Sequence, residues 1–356
     1  MRLALRLAKR GWGKTSPNPL VGAVIVKHGQ VVGKGFHRAV GEPHAEVIAI
    51  REAGERAQGA TLYVNLEPCC HRGKTPPCTQ AIINTGISKV VASIKDPNPQ
   101  VNGKGFQELD SQGIEVELGL LAEEAGRLNE VYLKYIRTKL PFVILKLAQT
   151  LDGKIATSDG RSMYITSFES RRRVHQLRSG VDAVMVGVGT VLQDDPQLTV
   201  RHAKGENPLR IVLDSRGRTP LRAKVISSEG SAILMITSQA NQSWRGEMER
   251  MGAEIWEIPP DREGRVDLRE AMKIAGVRGI TSLMIEGGRE VFTSALKAGI
   301  VDKLLIFISP KVMGEGMGGV GDLGVRELSS AHRLYNMKGQ RMGEDLLITA
   351  YVHRNN

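Results

Sequence analysis

Residues of the types that bind zinc lie close together in the first quarter of the sequence. His44 begins a helical pattern, and Cys69 and Cys78 follow a predicted strand in the segment Pro68-Cys-Cys-His-Arg-Gly-Lys-Thr-Pro-Pro-Cys78. A catalytic zinc has three protein ligands and one open position for water, and one imidazole with two thiolates meets that count. The sequence therefore predicts a catalytic zinc site formed by His44, Cys69 and Cys78.

Glu46 follows the first of these residues by two positions and is suited to proton transfer. A bound zinc lowers the pKa of water from ~15.7 towards ~7. Glu46 can approach that water without being a ligand and pass its proton to a departing amine. His-x-Glu followed by Pro-Cys-x-x-Cys is the signature of nucleobase deaminases, although eight residues separate Cys69 from Cys78 here. The pattern predicts hydrolytic deamination with Glu46 as the catalytic acid and base.

Two other interpretations of this cluster remain open at the level of sequence. His44 could cap a helix while the cysteines are buried as small apolar residues. A purely structural zinc would need a fourth protein ligand, and His71 is the close candidate. Cys70 is not expected to be a ligand, because the preceding proline and the following helix start suit Cys69 better.

The elements that must position these residues alternate between strands and helices. In the first half, the predicted strands are 21–26, 31–35, 61–65, 89–94 and 114–118, and the predicted helices are 44–57, 79–85 and 122–135. In the second half, the predicted strands are 142–148, 183–188, 209–214, 232–237, 282–286, 303–309 and 345–353, the last closing its sheet, and the predicted helices include 167–179 and 289–298. A short polar segment, Arg137–Pro141, separates the halves. The sequence predicts two α/β domains, residues 1–140 and 141–356.

Composition and charge narrow the class of protein. Of the 356 residues, 41% are apolar and 24% are charged, which allows a buried core. The net charge of +11 indicates anionic partners, and an aromatic content of 4% leaves few rings for stacking a nucleic-acid strand. Phosphorylated small molecules, not nucleic acid, are therefore the expected ligands. A signal-peptide pattern and an apolar run of ~18 residues are both absent, so we expect a soluble, cytoplasmic protein without a membrane partner.

Longer motifs around these residues resemble those of one known family. In the first half they are Thr15-Ser-Pro-Asn-Pro-Leu-Val-Gly-Ala23, His44-Ala-Glu46 and Glu67-Pro-Cys-Cys-His-Arg-Gly-Lys-Thr-Pro-Pro-Cys78. In the second half they are Lys146-Leu-Ala-Gln-Thr-Leu-Asp-Gly-Lys-Ile-Ala156, Gly187-Val-Gly-Thr-Val-Leu-Gln-Asp-Asp-Pro-Gln-Leu-Thr199 and Ile285-Glu-Gly-Gly288. Over nearly its whole length the chain resembles the bifunctional riboflavin-biosynthesis deaminase/reductase family.

The resemblance implies a fold, two reactions and their cofactors. The fold would be a cytidine-deaminase-like α/β/α domain followed by a dihydrofolate-reductase-like α/β domain. The first would use Zn²⁺ to deaminate a diamino-hydroxy-pyrimidine that carries a phosphoribosylamino group. The second would use NADPH to reduce the ribosyl side chain to ribityl. The resemblance also implies a homo-oligomer.

The resemblance further implies which residues bind these groups. The deaminase substrate would contact Asn18, His37, His71 and Lys74. The reductase substrate would contact Lys146, Ser162, Arg178, Leu198, Arg201 and Glu286. NADPH would contact Ala148, Tyr164, Thr190, Asp194, Ser215, Gly288, Arg289, Glu290, Val291, Phe292, Thr293 and Ser294. Tyr164 stands where family members often carry tryptophan, and it keeps a flat face for stacking.

Without the resemblance, the residues of the second half indicate a function less specifically than those of the first half. There is no Gly-x-Gly-x-x-Gly after a strand, so a Rossmann fold is not predicted. Glu286-Gly-Gly288 lies where a predicted strand meets a helix, and the helix N-terminus there could bind a cofactor phosphate or merely follow a tight turn. Two other functions stay open: a nucleic-acid deaminase with an accessory domain, and a zinc-stabilised module that binds a phosphopyrimidine without turnover.

Overall fold

The computed structural model describes residues 1–73, 76–228 and 230–353 of the chain. The chain forms two compact units, Met1–Lys139 and Leu140–Asn356, each with its own hydrophobic core. This division falls one residue before the boundary predicted between 140 and 141. Within the described ranges, none of the helices has the length and apolar character needed to cross a membrane.

The first unit is a five-stranded sheet with helices packed on it. Its helices are α1 (Arg2–Ala8), α2 (Ala45–Ala53), α3 (Cys78–Thr85), α4 (Lys104–Ser111), α5 (Ala122–Leu128) and α6 (Glu130–Thr138). Its strands are β1 (Gly22–Lys27), β2 (Gln30–Phe36), β3 (Thr61–Val64), β4 (Lys89–Ala92) and β5 (Glu115–Leu118). The strand order is β2-β1-β3-β4-β5. β1 is antiparallel to both neighbours, whereas β3, β4 and β5 are parallel.

Close packing of α2 on this sheet fixes where that helix begins. Ala45 and Ala49, one turn apart, are completely buried. At Gly35 in β2, a Cβ atom would lie 2.3 Å from the carbonyl oxygen of Ala45, so a side chain cannot be accommodated there. The first turn of α2, which follows His44 and carries Glu46, is therefore held against the sheet.

The second unit is built on a nine-stranded sheet. Its helices are α7 (Phe168–Arg178), α8 (Val188–Asp194), α9 (Lys224–Ser227), α10 (Gln242–Arg250), α11 (Leu268–Val277) and α12 (Arg289–Lys297). Its strands are β6 (Phe142–Thr150), β7 (Lys154–Ala156), β8 (Ala183–Gly187), β9 (Leu209–Leu213), β10 (Ala232–Ile236), β11 (Ala253–Glu257), β12 (Ser282–Gly287), β13 (Lys303–Ser309), β14 (Met317–Gly318), β15 (Tyr335–Met342) and β16 (Asp345–Tyr351).

The strand order brings the ends of the parallel strands to one edge. The sheet runs β11-β10-β9-β8-β12-β6-β13-β16-β15, and β7 pairs with β14 separately. The strands from β11 to β13 are parallel to one another, β16 is antiparallel to β13, and β15 is antiparallel to β16. In open α/β sheets, ligands bind beyond the carboxyl ends of parallel strands. That edge is where a site in this unit is expected.

The end of the second unit differs from the sequence prediction. β16 was expected to close its sheet, but it lies between β13 and β15. β15 is the edge strand, and most of its residues are exposed. Its sequence, Tyr335-Asn-Met-Lys-Gly-Gln-Arg-Met342, has no apolar run, so a pattern search does not recognise it as a strand.

Candidate functional site

The three predicted metal ligands converge in the first unit. His44 Nδ1 lies 3.2 Å from Cys78 Sγ and 3.4 Å from Cys69 Sγ, and the three donor atoms lie within 4.8 Å of one another. A tetrahedral zinc would hold nitrogen and sulfur ligands about 3.5 Å apart, so the donors fit the ion. Among the described residues this group has three members and does not include His71, so a four-ligand structural site is not formed.

Each ligand is placed by the start of a helix or by a loop bonded to one. His44 is the residue just before α2, and Cys78 is the first residue of α3. The loop that carries Cys69 is tied to α3, because Cys69 O accepts the N–H of Thr79 at 3.2 Å. Two helix N-termini thus point positive dipole ends towards the thiols, which favours thiolates.

The two thiols and their surroundings favour the binding of a cation. A hydrogen bond from the Cys78 thiol, and others from His44 and the Cys78 N–H, lower the pKa of Cys69 to about 4 against the effect of burial. The pKa of Cys78 is raised, because its thiol is the donor in that pair and is buried. The two sulfur atoms therefore share one proton, which a bound divalent ion would release.

Glu46 lies in the first turn of α2 and is 3% exposed. Its carboxyl group lies beside the Cys78 thiol, close enough for each group to influence the pKa of the other. Its Oε2 atom is buried and has no hydrogen-bond partner within the part of the chain that the structure describes. Burial raises the pKa of Glu46. A carboxyl group with a free oxygen beside the metal donors is suited to accept and return a proton.

Replacing Cys69 with alanine is expected to reduce the zinc content from about one ion per chain to near zero, because a three-ligand site loses a thiolate. Cys70→Ala is the matched control, since Cys70 Sγ lies 3.7 Å from the carbonyl oxygen of Gln100 and outside the donor group. Metal analysis of both purified variants measures the difference. Equal zinc content in the two variants would contradict the ligand assignment.

Two predicted substrate residues lie beside the metal donors. Asn18 Nδ2 is 3.1 Å from His37 Nε2, and the His37 ring packs edge-on against the His44 ring, with centroids 5.3 Å apart. The Nδ1 atom of His71 is buried and has no partner among the described atoms. Lys74, also predicted to bind substrate, lies outside the described residues. The site therefore offers amide and imidazole groups to a polar ring.

Several buried polar residues that hold this site were not identified from the sequence. Asn129 Oδ1 accepts the N–H of Leu20 at 2.8 Å, and Asn65 Nδ2 donates to Leu20 O at 2.8 Å. The carboxylate of Glu67 accepts the N–H of Gly103 at 2.9 Å. Asn129 and Leu20 are 109 positions apart. In the sequence, each of these residues is visible only as a polar residue within or beside an apolar run. That pattern does not show which distant backbone group the side chain binds.

The second unit contains a cavity of about 870 Å³ at the carboxyl ends of the parallel strands. Most residues predicted for the reductase line it: Lys146, Ala148, Ser162, Tyr164, Thr190, Asp194, Ser215, Glu286, Gly288, Arg289, Glu290, Val291, Phe292 and Ser294. Four predicted residues are not part of this lining: Arg178, Leu198, Arg201 and Thr293. Thr293 Oγ1 instead donates to Arg289 O and accepts the N–H of Gly321.

A buried ion cluster lies at one side of the cavity. Arg178 forms two hydrogen bonds with the Glu286 carboxylate, of 2.6 and 3.0 Å, and Lys146 Nζ lies 3.6 Å from Glu286 Oε2. Burial alone would raise the pKa of Glu286, but the charges of Arg178 and Lys146 outweigh it and lower the pKa to about 2. Burial lowers the pKa of Lys146, and the charge of Glu286 partly offsets this. The amine of Lys146 thus lines the cavity, and the Glu286 carboxylate next to it stays ionised.

The remaining predicted substrate residues form local contacts near this cluster. Ser162 Oγ donates to Asp194 Oδ1 at 2.9 Å. Arg178 also donates to the carbonyl oxygen of Thr199 at 3.0 Å. The backbone N–H of Arg201 donates to His175 Nδ1 at 3.1 Å. Burial, followed by the positive charges of Arg178 and Arg201, lowers the pKa of His175 to about 4, so this imidazole is a neutral acceptor at physiological pH.

The stability of the second unit should depend on the charge of Glu286. Its folded-state pKa of about 2 lies below its ordinary value of 4.5, so the stabilisation is complete above pH 4.5 and is lost as pH falls towards 2. That shift corresponds to about 3 kcal/mol. Denaturant unfolding of the wild type and Glu286→Gln should therefore differ by at least about 3 kcal/mol at pH 6. The difference should shrink towards pH 2.5, and a pH-independent difference would contradict the assignment.

Comparison with known proteins places the whole chain in one family. Residues 141–348 match the RibD C-terminal domain, and residues 1–94 match the cytidine and deoxycytidylate deaminase zinc-binding region. The riboflavin biosynthesis protein RibD of Aquifex aeolicus is 47% identical over 98% of this chain and 96% of its own length. The chain belongs to the bifunctional deaminase/reductase family of riboflavin biosynthesis. The Escherichia coli RibD is 40% identical over 98% of this chain and 97% of its own length.

Solved structures of family members have the same fold. RibD of Acinetobacter baumannii gives a TM-score of 0.87 at 38% identity, covering 98% of this chain and 97% of that one. A Thermotoga maritima diaminohydroxyphosphoribosylaminopyrimidine deaminase/5-amino-6-(5-phosphoribosylamino)uracil reductase gives 0.87 at 37% identity, covering 99% and 97%. The predicted fold, a cytidine-deaminase-like domain followed by a reductase domain, is confirmed. The prediction of a bifunctional enzyme with a zinc-binding deaminase domain is confirmed as well.

Proposed function

We propose that the first unit deaminates 2,5-diamino-6-(5-phosphoribosylamino)pyrimidin-4(3H)-one and that the second reduces the ribosyl side chain of the product to ribityl with NADPH. The observation that carries this proposal is the free Oε2 atom of Glu46 beside the His44, Cys69 and Cys78 donors, in a chain that also has the Lys146 cavity. The activity of the Thermotoga maritima relative supports the choice of substrate.

In the deamination step, each residue of the first unit has a separate task. His44, Cys69 and Cys78 hold the zinc, which when bound supplies a Lewis acid that makes water nucleophilic at neutral pH. Glu46 accepts the proton of that water and delivers it to the leaving amine, and its raised pKa suits both transfers. The groups that bind the pyrimidine ring and its substituents are Asn18, His37, His71 and Lys74.

In the reduction step, the second unit binds the dinucleotide and donates one proton to the substrate. NADPH when bound supplies the hydride. The first turn of α12, from Gly288, provides backbone N–H groups for the pyrophosphate. Reduction of the open-chain imine form of the substrate at C1′ would also require a proton at the attached nitrogen. Lys146 donates that proton. Glu286 holds Lys146 in place and is itself held by Arg178.

The remaining predicted residues divide between substrate and cofactor. Ser162, Leu198 and Arg201 act on the substrate side. The cofactor side comprises Ala148, Tyr164, Thr190, Asp194, Ser215 and the α12 residues Arg289, Glu290, Val291, Phe292, Thr293 and Ser294. Residues 1–140 form the deaminase domain and residues 141–356 the reductase domain. The enzyme acts on small molecules and not on nucleic acid, in the cytoplasm, as a homo-oligomer.

A two-stage assay tests the proposal. The pyrimidine substrate is added to the zinc-loaded enzyme and ammonia is measured, and NADPH is then added and its absorbance at the nicotinamide band is followed. We expect ammonia release without NADPH, and NADPH oxidation only after deamination. Deamination of RNA or single-stranded DNA in place of the free nucleotide would contradict the proposal, as would zinc binding without either turnover.

A further inference from the structure

The connection from α8 to β9, residues 195–208, carries Arg201. It lies wholly in the described part of the chain and forms no helix or strand. The backbone N–H of Arg201 donates to Nδ1 of His175 in α7 at 3.1 Å. We propose that His175 is a positioning residue of the reductase, which holds Arg201 where its guanidinium can bind the phosphate of the substrate. This inference rests on the proposed reduction and adds a residue that acts through Arg201.

His175 has the properties of a buried hydrogen-bond acceptor. It is 5% exposed. Burial, followed by the charges of Arg178 and Arg201, lowers its pKa to about 4, so the ring is neutral at physiological pH. Because Nδ1 accepts the N–H of Arg201, the proton of the neutral ring lies on Nε2. A connection without regular structure needs partners for its backbone N–H groups, and this ring supplies one from a helix.

Further contacts fix the same connection to α7. Arg178 donates to the carbonyl oxygen of Thr199 at 3.0 Å. The His202 ring packs edge-on against the His175 ring, with centroids 4.7 Å apart. It also packs edge-on against the Phe168 ring, with centroids 5.4 Å apart. The backbone on either side of the proposed phosphate-binding arginine is therefore attached to one helix, and His175 provides both a hydrogen bond and a ring contact.

The side chain of Arg201 lies near the reductase cavity with its charge available to a ligand. Burial lowers its pKa, whereas Tyr164 and Glu286 raise it. Both of these residues line the cavity, which places the guanidinium close to the cavity edge. Its Nη1 donates to Gln197 Oε1 and Thr199 Oγ1, which are uncharged groups. These bonds orient the guanidinium without neutralising it.

The hydrogen bond to His175 matters because phosphate binding by arginine depends on orientation. A guanidinium binds a phosphomonoester best through two parallel charge-assisted hydrogen bonds, which a displaced side chain cannot form together. Without the acceptor on His175, the N–H of Arg201 would lack its partner, and the connection would have to move to find another one. A residue that is ordered before the ligand arrives also loses less entropy on binding.

Two substitutions of His175 separate the hydrogen bond from the ring contact in the zinc-loaded full chain. His175→Phe keeps a ring against His202 but has no acceptor, whereas His175→Asn has no ring but places Oδ1 near the position of Nδ1. We expect the KM for the deaminated pyrimidine to rise about 10-fold in the phenylalanine variant and less than about threefold in the asparagine variant. The kcat and the KM for NADPH should stay near their wild-type values. Arg172→Ala, at an exposed position of α7, is the matched control and should change none of these values.

A double-mutant cycle shows whether the effect passes through Arg201. Arg201→Ala should raise the KM for the deaminated pyrimidine about 10- to 100-fold. Adding His175→Phe to it should change that KM less than about twofold, because the hydrogen bond then positions no guanidinium. Effects that multiply independently would overturn the inference. So would a larger rise in His175→Asn than in His175→Phe, or a rise in the KM for NADPH.

Calorimetry with D-ribitol 5-phosphate distinguishes this inference from the proposed reduction. Its dissociation constant should rise about 10-fold in His175→Phe and stay near the wild-type value in His175→Asn. Unchanged NADPH binding shows that the second unit of each variant is folded, and the smaller His175→Leu replaces the phenylalanine variant if that variant does not fold. If the wild type does not oxidise NADPH with the deaminated substrate, the proposed reduction fails. Unchanged binding of D-ribitol 5-phosphate in the variants without an acceptor would instead overturn the role of His175.

Discussion

Glu46→Gln is expected to lower the kcat for ammonia release by about 10²- to 10⁴-fold, the usual contribution of a positioned general acid and base. Glutamine has nearly the same shape as glutamate but cannot accept and return a proton. The affected atom is Oε2, which is buried and unpartnered beside the metal donors. Ammonia release at saturating substrate measures the effect.

Three further measurements distinguish loss of proton transfer from loss of the site. Zinc content should stay at about one ion per chain, because Glu46 is not among the His44, Cys69 and Cys78 donors. Reduction of previously deaminated substrate should be unchanged, because the second unit has its own core. The control on the same helix is Glu52→Gln, an exposed residue, and it should retain full deaminase activity.

The result also decides what Glu46 does at the site. A module that only senses a phosphopyrimidine has no use for an unliganded acid at this position. Retained deamination in Glu46→Gln with zinc bound would show that Glu46 does not transfer the proton. Loss of zinc in this variant would mean that the residue supports the metal site and not proton transfer.

The structure brings His44, Cys69 and Cys78 together, and the sequence could name this group because its parts are local. His44 and Cys78 are 34 positions apart, and each is placed by the first turn of a helix whose apolar face is visible in the sequence. The buried strands were recognised for the same reason: β13, predicted at 303–309, spans Lys303–Ser309. An apolar run of this length, bounded by turn residues, is consistent with a buried strand.

The reductase site could not be assembled from the sequence in the same way. Arg178 and Glu286 are 108 positions apart, and their two hydrogen bonds depend on β12 lying beside β8 in the sheet. Neither residue has a local pattern that indicates the other. The resemblance to a known family named both as substrate residues, but it did not indicate that they neutralise each other or that Lys146 completes the cluster. Such contacts follow from strand order, which hydrophobic periodicity does not encode.

Lys146→Met is expected to lower the kcat for NADPH oxidation by about 10²- to 10⁴-fold while ammonia release stays at the wild-type rate. Lys146 lines the cavity, and its side chain is 14% exposed. Burial, which lowers its pKa, makes the ammonium a stronger acid and so a better proton donor to the imine nitrogen. Methionine fills a similar volume but carries no proton. The measurement is NADPH absorbance with deaminated substrate at saturation.

The design of this variant keeps the fold and the cofactor site intact. The two hydrogen bonds between Arg178 and Glu286 remain, so the buried carboxylate keeps a cationic partner. Binding of NADPH, followed by its fluorescence, should therefore be unchanged, which separates loss of proton donation from loss of the cofactor. Lys297→Met, at an exposed position of α12 outside the cavity lining, is the matched control. A normal kcat in Lys146→Met would assign the proton to another group, and Asp194, which also lines the cavity, would be the next residue to replace.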